Sequence, residues 1–329
     1  MDKDDAISTR KYVLQQCSRN EDQNRIIMYK ARGDDFTVGD TSELSKHPNY
    51  AEMFCLALQT KEQSQMLSKF GGKILCADAT HGLTKYGYQL VSVVVKEDQG
   101  KGYPVSHLIT SNVDSIVLTA YFKELQKRNP TLKVKFAMSD DDNATRKAFK
   151  DAFGEDVRTM FCYWHLREAW KRNLKRIKDL VARDIINSLL KATLTARREE
   201  EYKEILHLLK TLFPNCEDFM QYFESYYLPK DEDWARCHRN FYHDGVDTNM
   251  LLESFHNLIK TVYLLRKQNW RVDTLLVLLS DIEVDFWLRY TIATLVNTDT
   301  KDDPDKSKRH TRGMGISDSK VTQVNLSYL

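Results

Sequence analysis

Three acidic residues stand where carboxylates can do chemistry. Asp78 closes the apolar run Lys73-Ile-Leu-Cys-Ala-Asp78, and Asp140 closes Val134-Lys-Phe-Ala-Met-Ser-Asp140. Glu253 lies in a helix-patterned segment, Asn249-Met-Leu-Leu-Glu253-Ser-Phe-His-Asn-Leu-Ile-Lys260. Two carboxylates at strand ends and one on a helix suit a divalent-metal phosphoryl-transfer site. Mg²⁺ is a hard cation that takes oxygen ligands and keeps part of its water shell. Two such ions can activate an attacking oxygen and stabilise a leaving one. Each acid also has an ordinary alternative: a strand-end Asp caps the following turn, and a helix Glu faces solvent. For Glu253 the neighbours Leu251, Leu252, Phe255, Leu258 and Ile259 leave little of the helix polar, which places it at a packed boundary. Asp141 and Asp142 adjoin Asp140. One of the three need face the site, and the others can cap a helix starting near Asn143.

A second group of candidates comes after a further apolar run. In Phe161-Cys162-Tyr-Trp-His165 the thiol and imidazole could form half of a zinc site. Cys237, His238 and His243 are available as a second half, although no spacing forces that pairing. Alternatively, Cys162 is a buried thiol and His165 a hydrogen-bonding residue, tying this strand to the segment after it or lying near a scissile phosphate. The next helix carries Arg167, Lys171, Arg172, Lys175, Arg176 and Lys178, with Trp164 and Trp170 interleaved. Such a run is either a solvated face or a DNA-backbone contact, which would be salt-sensitive and blind to sequence.

The elements that must position these residues alternate in a recognisable order. Ile74–Ala79, Gln89–Val95 and Tyr103–Thr110 read as three strands joined by short connections, an antiparallel meander. Ser115–Arg128 reads as a helix stopped by Asn129-Pro130, followed by a strand at Val134–Met138, a helix at Asn143–Phe153 and a strand at Val157–Cys162. Leu166, Trp170, Leu174 and Ile177 form the stripe of another helix. The order β-β-β-α-β-α-β-α implies a mixed sheet of five strands covered by helices, the RNase H-like α/β arrangement. In that arrangement the first and fourth strands are neighbours, which would bring Asp78 and Asp140 together.

Five segments are expected. Residues 1–70 are a mixed N-terminal α/β segment, with strands near Arg25–Tyr29 and Glu52–Leu58 and a helix at Thr60–Phe70 opened by a Thr60/Gln63 capping box. Residues 71–177 are the first part of the core, and 178–247 an all-helical insertion that interrupts it. Residues 248–296 return Glu253 and add a buried C-terminal helix over Leu275–Leu295, and 297–329 form a polar, disordered tail.

The chain has 329 residues, of which 42% are hydrophobic, enough for a substantial core. The net charge of +2 makes no global case for nucleic acid, so any basic surface must be local. No apolar run approaches the roughly 18 residues of a membrane span, and the charged start Met1-Asp-Lys-Asp-Asp-Ala is no signal segment. A soluble intracellular protein is expected. The cysteines at 17, 55, 76, 162, 216 and 237 show no CxxC and are expected to be reduced thiols.

Four of these motifs, in order, resemble those of Mutator-like (MULE) transposases: Asp78-Ala-Thr-His-Gly, Ser139-Asp140 with Ala144 and Ala148-Phe149, the Cys-x-x-His of Cys162 to His165, and Thr248-Asn249-Met-Leu-Leu-Glu253-Ser-Phe-His256 with Lys260. Gln59-Thr60-Lys-Glu-Gln63 resembles the segment that precedes their first catalytic strand, so the likeness spans roughly Leu56 to Lys260. It implies a DDE-type transposase core that cleaves and joins DNA, with Asp78, Asp140 and Glu253 binding Mg²⁺ or Mn²⁺. It also implies transposon ends and target DNA as partners, Arg167, Lys171, Arg172 and Lys175 on the DNA backbone, a homodimer, and a nuclear location. The zinc-finger region before the core and the cysteine/histidine module after it, usual in full-length members, have no counterpart in these cysteine patterns. A fragment, a shortened copy or a host-adopted descendant is expected. The alternative reading is therefore a non-catalytic, transposase-derived DNA-binding or transcription-regulating protein.

Overall fold

A computed structural model describes residues 2–20, 22–140, 142–213, 216–239, 246 and 248–299. Two compact units divide at Leu279/Ser280.

In the first unit, helix α1 (Asp5–Cys17) is capped by Asp4 and followed by strands β1 (Ile26–Lys30) and β2 (Cys55–Leu58). Helix α2 (Lys61–Phe70) opens with the expected capping box: Gln63 N donates to Thr60 Oγ1 at 3.1 Å, and Thr60 N donates to Gln63 Oε1 at 2.9 Å. Strands β3 (Leu75–Thr80), β4 (Gln89–Lys96) and β5 (Gly102–Thr110) form the antiparallel meander. Helix α3 (Ser115–Arg128) then leads to β6 (Phe136–Ser139), and α4 (Asn143–Phe153) to β7 (Arg158–Phe161). These two helices pack together through Phe122 and Phe149, stacked at 4.6 Å.

The sheet order is β1-β2-β5-β4-β3-β6-β7. Pairing is antiparallel from β1 to β3 and parallel across β3, β6 and β7. The five expected strands are present with the expected adjacency of first and fourth, but the sheet has seven strands. The N-terminal segment adds β2 to the outer edge of β5, with Cys55 opposite Thr110 and Leu58 opposite His107, and β1 to β2. The physical reason is that β5 is buried almost throughout, so its outer backbone edge needs a partner. Just after β2, the buried Gln59 and Gln63 complete this join by donating to the carbonyls of Val105 and Pro104 at 3.1 and 3.2 Å, beside the register shift at Val93/Val94.

After β7 the chain turns into α5 (Tyr163–Leu174), then α6 (Leu180–Thr195), α7 (Glu199–Leu212), α8 (Glu217–Tyr226) and the single turn α9 (Asp231–Trp234). The insertion is helical among the described residues. It has its own aromatic core: Trp170 meets Phe223, Tyr227 and Trp234 edge-on at 5.5–5.7 Å. Arg146 of α4 pairs with Asp233 of α9, which holds the insertion to the sheet. Helix α10 (Met250–Leu258) returns the chain over β3, β4 and β5 and passes into a π-helical turn, Ile259–Tyr263. The last helix, α11 (Val272–Asp299), starts where buried Asp5 accepts from Val272 N and Asp273 N at 2.9 and 3.1 Å.

The expectation of a buried helix over Leu275–Leu295 holds for its first turns, where Leu275, Leu276 and Leu279 are buried. In the second unit Val284, Leu288, Ile292 and Leu295 are exposed, because apolar composition records what a helix can bury but not whether a partner covers it. Of the tail expected over 297–329, residues 297–299 continue α11; the rest, like the candidate ligand His243, lies outside the described residues. All six cysteines are free thiols. Among the described residues no helix is long and apolar enough to cross a membrane.

Candidate metal centre

The register of two parallel strands builds the site. Leu75 lies opposite Ala137 and Cys76 opposite Met138. Two residues further along each chain are Asp78, which lies within β3 opposite Ser92 rather than at the expected strand end because β4 pairs with β3 as far as Thr80, and Asp140, just past the end of β6. Of the acids after β6, Asp142 caps α4, accepting from Ala144 N and Thr145 N at 3.0 Å each, which leaves Asp140 to the site. Asp141 lies outside the described residues.

Two helices complete the cluster. Cys162 begins α5 at the end of β7, with its N–H bonded to Ser139 O at 3.1 Å, so His165 is carried to the Asp140 carboxylate. His165 Nδ1 lies 2.5 Å from Asp140 Oδ1 and 3.7 Å from Glu253 Oε1. Glu253 is brought there by α10, whose entry is anchored by a bond from Asn249 N to Cys162 Sγ at 3.1 Å. Gly102 permits the close approach of α10. A Cβ there would meet Leu251 Cβ at 3.0 Å and Val94 Cγ1 at 3.1 Å.

The electrostatics reflect the crowding of like charges. Burial, then the Asp140 carboxylate, push Asp78 up to about 7, against a bond from Ala79 N. Glu253 is also raised, by burial and by Asp140, with His165 opposing. Burial works against a charged His165, but its contacts with Asp140 and Cys162 outweigh this and raise the imidazole to about 10. A protonated His165 therefore supplies positive charge among three acids.

Three atoms in this cluster test whether it suits a metal. Asp140 Oδ1, His165 Nδ1 and Glu253 Oε1 are each buried with no hydrogen-bond partner. At 2.5 Å, His165 Nδ1 and Asp140 Oδ1 form an ion pair when the ring is protonated, with Glu253 Oε1 3.7 Å from the same nitrogen. Buried polar atoms of native proteins are nearly always satisfied; a cation would satisfy the two carboxylate oxygens, and His165 could join as a ligand only after losing its proton. Asp140, Cys162 and His165 also offer ligand atoms within 4.8 Å of one another. The residues thus fit a divalent ion, with oxygen donors suiting Mg²⁺ or Mn²⁺ and the thiol and imidazole suiting Zn²⁺.

The structure brings Asp78, Asp140, Glu253, Cys162 and His165 together. It does not bring Cys237 or His238 to them: His238 faces Asp231 and the Tyr202 ring within the insertion. Arg167, Lys171 and Arg172 on α5 and Lys175 at its C-terminal cap are all exposed, with Lys171 bonded to Glu168 at 2.5 Å. Two supporting residues had no sequence signal, Gly102, whose role depends on backbone approach, and Arg239; Asn249 stood in the Glu253 motif, but its bond to Cys162 was not legible there. The buried Arg239 donates to Phe161 O at 2.8 Å and stacks on Tyr163, steadying the turn before His165.

A model of the RNaseH-like domain of zinc finger SWIM domain-containing protein 1/3 matches residues 36–158, which include Asp78 and Asp140 and end before Cys162, His165 and Glu253. No curated protein is similar enough to match. The matched region is less than half of the chain, and it supports the RNase H-like superfamily rather than Mutator-like transposases in particular. The chain thus carries an RNase H-like domain similar to that of zinc finger SWIM domain-containing protein 1/3.

Proposed function

We propose that this chain is a metal-dependent phosphoryl-transfer core acting on DNA, a DDE-type strand-cleaving and strand-joining enzyme. One observation carries the reading: the buried carboxylate oxygens of Asp140 and Glu253 gather around His165 Nδ1, beside Asp78. Asp78, Asp140 and Glu253 would hold Mg²⁺ or Mn²⁺. Such ions lower the pKa of an attacking water and stabilise the departing 3′ oxygen.

The chain's own residues have distinct tasks. Asp78 must lose its proton before it can serve as a ligand, and Asp140 and Glu253 bring the opposing carboxylates. His165 sets the charge balance, because its protonated ring neutralises part of the acid cluster at Asp140 Oδ1. Cys162 ties the start of α5 to the entry of α10, which sets His165 beside Glu253. The exposed cations of α5 would hold the backbone of the DNA. Under this reading the partners are element ends and target DNA, the acting form is a homodimer and the location is the nucleus.

The description of the matched family, a zinc-finger protein rather than a transposase, favours keeping a second reading: a transposase-derived core that binds DNA without cutting it. One experiment separates them. Purified protein with Mn²⁺ and end-labelled DNA should nick or join strands, and Glu253→Gln should reduce this at least about a hundredfold. Cleavage unchanged by Glu253→Gln refutes the assignment of the acids. DNA binding without cleavage, indifferent to that substitution, establishes the second reading.

A further inference from the structure

The two tryptophans of α5 have opposite environments. Trp170 is 1% exposed inside the aromatic core of the insertion, whereas Trp164 is 47% exposed beside the acid cluster. Trp164 meets His165 edge-on, with ring centroids 4.6 Å apart and planes at 84°. That contact fixes the indole against a residue of the site and leaves much of its surface open. Arg167 and Lys171 on α5 and Lys175 at its C-terminal cap, all exposed, come three, seven and eleven residues after Trp164 along one side. The stripe therefore runs about 16 Å from Trp164, with Glu168 as the acid within it, bonded to Lys171 at 2.5 Å. A patch built for protein docking would need contiguous apolar surface, but the exposed neighbours of Trp164 on this helix face are charged.

We propose that Trp164 is a stacking platform for an unpaired nucleobase beside the acid cluster, so that the preferred ligand is single-stranded or locally unpaired DNA. The inference rests on the polynucleotide reading above and adds the state of the strand. Cations alone suffice to hold phosphates, and an indole adds nothing to a backbone contact. An indole does recognise the flat face of a base, and in an intact duplex that face is covered by its neighbours. A side chain at the backbone therefore reaches it only where the nucleotide is unstacked.

The test uses the full chain carrying Asp78→Asn, so that binding is read without cleavage, with Trp164→Ala and Trp164→Phe added. Each protein is titrated with a labelled single-stranded oligonucleotide and with the same sequence as a duplex, following anisotropy and tryptophan emission. Expected are tighter binding of the single strand, roughly tenfold weakening of that binding by Trp164→Ala, unchanged duplex binding, and substantial rescue by Trp164→Phe. The emission quench on single-strand binding should vanish in Trp164→Phe. Single-strand affinity unchanged in Trp164→Ala overturns the platform, as does equal weakening for both ligands or no single-strand binding at all. Cleavage by the unmodified chain without Trp164 dependence removes the platform alone. Trp164-dependent single-strand binding by a chain that never cleaves removes the phosphoryl-transfer reading and leaves the platform.

Discussion

Replacing Asp78 by Asn should move two properties in opposite directions. Asp78 is pushed up to about 7 by burial and by the Asp140 carboxylate. A carboxyl whose folded pKa lies above its ordinary value of 3.8 lowers stability as pH rises from that value toward about 7. Beyond that pH the folded protein carries the whole penalty, and an amide carries none. Each tenfold change in proton affinity corresponds to about 1.4 kcal/mol, so Asp78→Asn should stabilise the metal-free protein near pH 8 by at least about 1 kcal/mol. The amide oxygen can still accept from Ala79 N, which donates at 2.7 Å, so little bonding is lost. For a unit spanning Met1–Leu279, an unfolding entropy of about 0.6 kcal/mol/K converts this into roughly 2 °C. Metal should reverse the ranking. Mn²⁺ at a hundredfold its Kd stabilises the native form by about 2.7 kcal/mol, or roughly 5 °C, and Asp78→Asn should lose most of that response. Scanning calorimetry on chelator-treated and Mn²⁺-loaded protein reads both effects. A metal-free variant that melts below the wild type, or one that keeps the full Mn²⁺ response, would refute the reasoning.

Mn²⁺ affinity should climb with pH up to about 7 and level off above it, because a proton on Asp78 competes with the ion; calorimetric titrations at constant ionic strength test this, and a flat profile contradicts it. Changing Arg167, Lys171 and Lys175 together to Ala should flatten the salt dependence of duplex binding by up to about three in the log–log slope, near 0.9 per lost phosphate contact. An unchanged slope would show these cations to be a solvated face. Trp234→Ala should destabilise the insertion by about 3–5 kcal/mol, seen as a lower urea midpoint, because its buried indole meets Trp170, Phe223 and Tyr202 and donates to Tyr227 O at 2.9 Å.

What the sequence revealed and what it concealed have physical causes. Helices α3 and α4 have the expected limits because their ends are written in side chains: Asp114 and Asp142 accept from the first free N–H groups, and Asn129-Pro130 and Gly154 stop them. The adjacency of Asp78 and Asp140 was legible because strand order follows from element order. The seven-stranded sheet was not, since the joining of β2 to β5 is made by backbone groups that every residue carries. Trp164 and Trp170 look equivalent in sequence, but six residues of helix turn them to different sides. The nearness of His165 to both Asp140 and Glu253 depends on where a helical insertion returns, and no local pattern encodes that distance.

The bond between Asn249 N and Cys162 Sγ joins residues 87 apart in the chain. For a flexible loop of that length, closure would cost about 4 kcal/mol in entropy by (3/2)RT ln n. The helical insertion offsets part of this cost, because its aromatic core holds Trp170 of α5 against Trp234 of α9 and so shortens the free loop. Glu253 is thus delivered by a preassembled spacer. A lesion deep in the insertion, far from any carboxylate, would release the spacer and return that entropy to the chain. The third acid would then be lost from the site while β3 and β6, and the first two acids on them, stayed in place.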